Sequence, residues 1–119
     1  MAEQEWRELL EYMEQERLLY IFCGHTHKPF SRAIGDKIIC NVGSVGMPFD
    51  GDPRPSWVLL EITPAGEYRI SIRRVTYDIA RIHQLIDNTP DYAEIRTHPG
   101  FREAYKKWFA TGRYWKSCG

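Results

Sequence analysis

No apolar run in this chain is long enough to cross a bilayer, so the sequence offers no membrane-spanning helix. The opening Met1-Ala2-Glu3-Gln4-Glu5 is acidic and lacks the apolar segment of a secretory signal. Cysteine is scarce. Cys23, Cys40 and Cys118 are odd in number and form no CxxC pair, which suits reduced thiols in a cytoplasmic protein better than a disulfide framework. Neither sign of charge prevails. Lys plus Arg and Asp plus Glu are both 16, so global charge argues for neither nucleic acid nor an anionic membrane as partner. Internal repeats and low-complexity tracts are also missing.

What is present is ordinary for a folded chain. Hydrophobic residues make up 43% and charged residues 27%, a globular rather than a disordered balance, and 119 residues fit a single domain, 1–119. Residues 3–16 read as a helix, with Trp6, Leu9, Leu10 and Met13 on one stripe. The run 18–23 is continuous and apolar and ends at Gly24, which predicts a buried strand. A second strand is expected over 37–42 after a Gly35-Asp36 turn. Cys23 and Cys40 each end one of these runs, where small buried thiols are expected.

From Asn41 to Pro55 glycine, proline and aspartate accumulate, so this stretch is a long loop of the kind that carries function more often than not. Strands over 56–63 and 68–77 follow, joined by a turn at Pro64-Ala65-Gly66-Glu67, with one face of the second strand wet. Asp78 is the expected N-cap of a helix that buries Ile79, Ile82 and Ile86. Thr89-Pro90 restarts the chain, and Thr97 opens a last helix with Phe101, Tyr105, Trp108 and Phe109 on one stripe and Gly112 as its stop.

The segment that carries chemistry is Gly24-His25-Thr26-His27-Lys28-Pro29. Two imidazoles two residues apart in extended backbone project to the same side, just beyond the carboxyl end of a strand, where α/β sheets place ligands. Neutral imidazole suits Zn, Mn, Fe and Ni. From spacing and position alone, metal ligation and hydrogen-bonded loop histidines stand level. His83 reads as a half-buried packing residue on its helix, and His98 as a helix-start residue.

The order of motifs adds to this. Gly24-His25-Thr26-His27-Lys28-Pro29-Phe30, a short strand, then Asn41-Val42-Gly43-Ser44-Val45-Gly46-Met47-Pro48-Phe49-Asp50-Gly51-Asp52-Pro53-Arg54 resembles the calcineurin-like metallophosphoesterases, in particular their small bacterial and archaeal phosphodiesterase branch. Tyr77-Asp78 before a helix and the late Ala110-Thr111-Gly112-Arg113 are similar to the tail of that branch. The likeness covers nearly the whole chain. It implies an α/β fold: the C-terminal half of an αββα sandwich, with mixed and antiparallel strands and flanking helices. It implies metal-dependent hydrolysis of a phosphomonoester or phosphodiester, with two divalent ions (Mn, Zn, Fe or Ni), one on His25 and the other on His27, that polarise the phosphoryl oxygens and activate water. Asn41, Ser44 and Arg54 become candidates for the substrate side, although Asn41 and Ser44 serve equally in a connector whose polar groups satisfy one another.

Much of the family's site is missing. The Asp-x-His, bridging Asp and Gly-Asn-His segments have no counterpart here, and no catalytic general acid is visible. Two imidazoles do not fix two catalytic metals, each of which takes about three protein ligands. The implied partner, besides a phosphoester substrate, is therefore a missing N-terminal half or another subunit. Val42 stands where the branch has proline and Phe49 where it has arginine. The competing class is a non-catalytic interaction module, or an inactive fragment, that uses the aromatic C-terminal helix as its surface. That helix interleaves Phe101, Tyr105, Trp108 and Phe109 with Arg102, Lys106 and Lys107, while Tyr114 and Trp115 lie beyond it. Aromatics and cations fall on different stripes, which fits a packing helix better than a nucleic-acid surface.

Overall fold

A computed structural model describes residues 1–90 and 100–113 of the chain. Helix α1 (Glu3–Gln15) buries Met13 completely, with Trp6, Leu9 and Leu10 half-buried beside it. Its first turn is closed by the Glu5 carboxylate, which accepts the Ala2 N–H at 2.6 Å. Its end is a Schellman stop: Leu18 N–H donates to Met13 O at 2.8 Å and Arg17 N–H to Glu14 O at 3.2 Å, with Arg17 left-handed at φ 56°.

Strands β1 (Tyr20–Cys23), β2 (Phe30–Ile34) and β3 (Lys37–Asn41) form one sheet in the order β1-β3-β2. β3 lies in the middle, parallel to β1 and antiparallel to β2, and all five of its residues are buried. β1 is therefore an edge, not the buried strand its apolar sequence predicts. Phe22 and Cys23 are exposed, while Cys40 is fully buried and burial pushes its thiol pKa up. β2 is an addition to the expected elements. Phe30-Ser31-Arg32-Ala33-Ile34 has little alternation of its own, and pairing with β3 through the Gly35-Asp36 turn makes it a strand.

Strands β4 (Ser56–Ile62) and β5 (Tyr68–Arg74) form a separate two-stranded antiparallel sheet, three residues shorter at its end than the sequence suggests. The buried Ser56 fixes its start to the long loop: its Oγ donates to Val42 O and its N–H to Ser44 O, both at 2.9 Å. Helices α2 (Ile79–Asn88) and α3 (Phe101–Thr111) pack together. His83 Nε2 donates to Lys106 O at 2.9 Å, and Arg102 donates to the carbonyls of Ile86 and Thr89 at the end of α2. Asp78 caps α2 as expected, accepting from Arg81 N–H. Pro90 itself is exposed; the helix expected to run on from it, the expected start at Thr97, His98, and the terminal Tyr114, Trp115 and Cys118 lie outside the described residues. Among the described residues no helix is long and apolar enough to cross a membrane. The architecture is mixed α/β.

Candidate metal centre

Asn41, the last residue of β3, is 1% exposed and organises the turn that follows β1. Its amide donates to Gly24 O at 2.8 Å and to Thr26 Oγ1 at 3.0 Å, and its Oδ1 accepts Gly43 N–H at 2.9 Å. Between these two anchors the backbone is not extended. Thr26 N–H closes a three-residue turn onto Gly24 O at 3.0 Å around His25 at φ 73°, and His27 is left-handed again at φ 58°. A turn of this kind is rare and strained, and it persists because a buried side chain holds both ends. The expectation that alternation along a strand aligns the two imidazoles is thus replaced: a braced bend brings them together.

His27 is half-buried and tied to the long loop twice. Its carbonyl accepts Phe49 N–H at 3.0 Å, and its Nδ1 lies 2.9 Å from Met47 O. A carbonyl oxygen only accepts, so Nδ1 is the donor, and in the neutral imidazole this leaves the Nε2 lone pair for an electrophile. Ser44 supports the same loop, its Oγ accepting Met47 N–H at 2.9 Å. His25 is exposed.

Both histidines, with Thr26, Met47, Phe49, Tyr105 and Trp108, line one open pocket of about 360 Å³. α3 supplies its aromatic wall. Trp108 is 8% exposed, donates its indole N–H to Pro48 O at 2.7 Å and meets the Phe49 ring edge-on at 5.9 Å. The aromatic stripe therefore faces the histidine loop. Sequence reasoning assigned Tyr105 and Trp108 to packing and did not place them at the site; nothing in a periodicity shows which loop a helix will meet.

The other candidates are placed differently. Asn41 is fully engaged inside and positions the bend. Ser44 supports Met47. Arg54 sits away from the pocket, forked onto Asp52 at 3.0 and 2.8 Å, and this hydrogen-bonded guanidinium lowers the Asp52 pKa to about 2. Arg74 from β5, which the sequence did not single out, joins this cluster by donating to Arg54 O at 2.9 Å and pairing with Asp50.

The donor set fits two ligands of a metal centre and no more. Among the described residues, no three His, Cys, Asp or Glu side chains converge on a point that would hold an ion.

A profile of the calcineurin-like phosphoesterase superfamily domain matches residues 2–64, more than half of the chain. The chain belongs to this superfamily. The matched stretch contains α1, the three-stranded sheet, both histidines and the whole loop from Asn41 to Pro55, whereas the aromatic wall of Tyr105 and Trp108 lies outside it. Among solved structures, a Vps29 double mutant from Entamoeba histolytica is similar at 27% identity, over 59% of this chain and 47% of that one, with a TM-score of 0.41. The match spans about half the length of that structure. No curated protein matches.

Proposed function

We propose that the chain contributes to metal-dependent hydrolysis of a phosphoester, with His25 and His27 each ligating a divalent ion such as Mn, Zn, Fe or Ni. The observation that carries this is the His27 ring, which lines a pocket shared with His25 and whose Nδ1–H is held by a backbone carbonyl, while its Nε2 has no hydrogen-bond partner among the described residues. A divalent metal bound there supplies Lewis acidity toward a phosphoryl oxygen. The chain's own groups do the positioning: Asn41 sets the bend, Ser44 Oγ accepts the N–H of Met47, whose carbonyl meets His27, and Trp108 forms one wall.

In this reading residues 1–119 form the C-terminal part of a metallophosphoesterase domain, and the remaining metal ligands come from another segment or subunit. The alternative, an interaction module working through α3, is less favoured because Trp108 is buried against Pro48 and the stripe lines the pocket.

Calorimetric titration with Mn or Zn tests the proposal. Uptake is expected that His27→Ala reduces by at least tenfold, with release of nitrophenolate from a nitrophenyl phosphodiester once the missing ligands are supplied. Absence of uptake, or uptake indifferent to both His25→Ala and His27→Ala, would sink it.

A further inference from the structure

A second pocket of about 390 Å³ adjoins the first, and Phe49 lines both. Its other walls are Lys28, Asp50, Gly51 and Arg113. The Lys28 ammonium sits over the Phe49 ring, 5.1 Å from its centroid. The Arg113 guanidinium lies against Gly51, with Nη2 3.2 Å from the position a Cβ would take there. Neither cation has a carboxylate partner among the described residues. The one carboxylate among the described residues lining the pocket, Asp50, is paired with Arg74. Lys28 directly follows His27, and Arg113 directly follows the glycine that ends α3, so the elements that build the histidine pocket also place both cations.

The geometry points to an anion subsite one aromatic ring away from the histidines, held by Lys28 and Arg113, for a second phosphate group on the substrate. The substrate class is then a phosphoester that carries another phosphate a few bonds from the scissile one. Lys28 meets it as a point charge and Arg113 as a planar fork. The assignment of a scissile phosphate to the adjacent pocket rests on the phosphoesterase reading above; the anion subsite itself does not.

Two measurements separate them. The full chain, isotope-labelled, is titrated with inorganic pyrophosphate and followed by the amide signals of Lys28, Phe49, Gly51 and Arg113. Saturable shifts are expected, weakened at least tenfold in the Lys28→Met, Arg113→Met double variant and by added salt, and retained when Lys28→Arg and Arg113→Lys keep the charges. Absence of saturable binding, or binding unchanged in the double variant, overturns the subsite. In the metal-loaded assay, thymidine 5′-(4-nitrophenyl phosphate) is compared with the same ester carrying a 3′-phosphate. The second phosphate is expected to lower KM about tenfold, and the double variant to bring the ratio of the two KM values to about one. Equal KM values in the unmodified protein overturn the substrate assignment while leaving the phosphoesterase reading intact. If neither ester is hydrolysed, that reading fails, and the pyrophosphate titration still decides the subsite.

Discussion

At the scale of single residues, backbone strain and its supports carry the chemistry. Among the described residues three non-glycine residues have positive φ: Arg17, His25 and His27. Arg17 merely ends a helix, at a position where glycine adopts the same geometry without a Cβ penalty. Arg17→Gly is expected to stabilise the protein by about 0.5–1 kcal/mol, seen as a higher Tm, and a lower Tm would contradict the assignment of strain there. The histidines differ, because their strained turn is braced by Asn41. Asn41→Asp keeps the shape but removes both donated bonds and sets a carboxylate against Gly24 O. It should cost roughly 2–3 kcal/mol in denaturant unfolding and weaken metal uptake as well. Unchanged metal affinity in a folded Asn41→Asp protein would show that the brace does not set the imidazoles. Asp52 adds a pH dependence. Its pKa is lowered from 3.8 to about 2 by the Arg54 hydrogen bonds, so the stabilisation is fully present above about pH 4 and is lost as pH falls towards 2. Asp52→Asn should flatten that part of the stability profile, measured by urea midpoints across pH 2 to 5.

At the scale of elements, the loop from Asn41 to Pro55 is held by β3 through Asn41, by His27, by β4 through Ser56, by β5 through Arg74, and by α3 through Trp108 and Gly112. Two glycines make this docking possible. At Gly43, φ 79°, a Cβ would lie 2.7 Å from Ser56 Oγ and 2.8 Å from Ser56 Cβ; at Gly112, φ 64°, it would lie 2.6 Å from Asp52 O. Gly112 also ends α3, its N–H donating to Trp108 O at 2.7 Å, and its carbonyl receives Gly51 N–H at 3.0 Å. Gly112→Ala therefore forces the loop off the helix and strains the cap together, and a loss of about 2 kcal/mol or more in unfolding free energy is expected. A loss within 0.5 kcal/mol would mean that the loop docks elsewhere.

At the scale of the whole molecule, apolar surface is poorly covered. Among the described residues the buried hydrophobics are Met13, Ile38, Ile39, Cys40 and Trp108, whereas Leu19 is 48%, Phe22 41%, Trp57 42% and Ile62 54% exposed. Among the described residues β1 presents one paired side, to β3, and one open side. Open strand edges rich in apolar residues associate with other chains. The isolated chain is expected to self-associate in light scattering, and Phe22→Lys to reduce this; a cooperative melt of a pure monomer would argue that the exposed faces need no partner.

The amino-acid sequence by itself determined the elements whose periodicity or punctuation is local: α1 from its apolar stripe, the β4–β5 hairpin from Pro64–Glu67, α2 from Asp78, and the end of α3 from Gly112. The two histidines were visible as well, because their spacing and the glycine-rich loop after them are contiguous patterns. Only the tertiary structure decided that β2 exists, since a strand of weak propensity forms where a partner offers its backbone. It also decided that β1 is an edge, that His25 and His27 sit in a braced bend, and that Tyr105 and Trp108 wall their pocket. Each of these depends on which distant segments meet. Such meetings follow from burial and hydrogen-bond geometry summed over the whole fold, which no local stretch of sequence encodes.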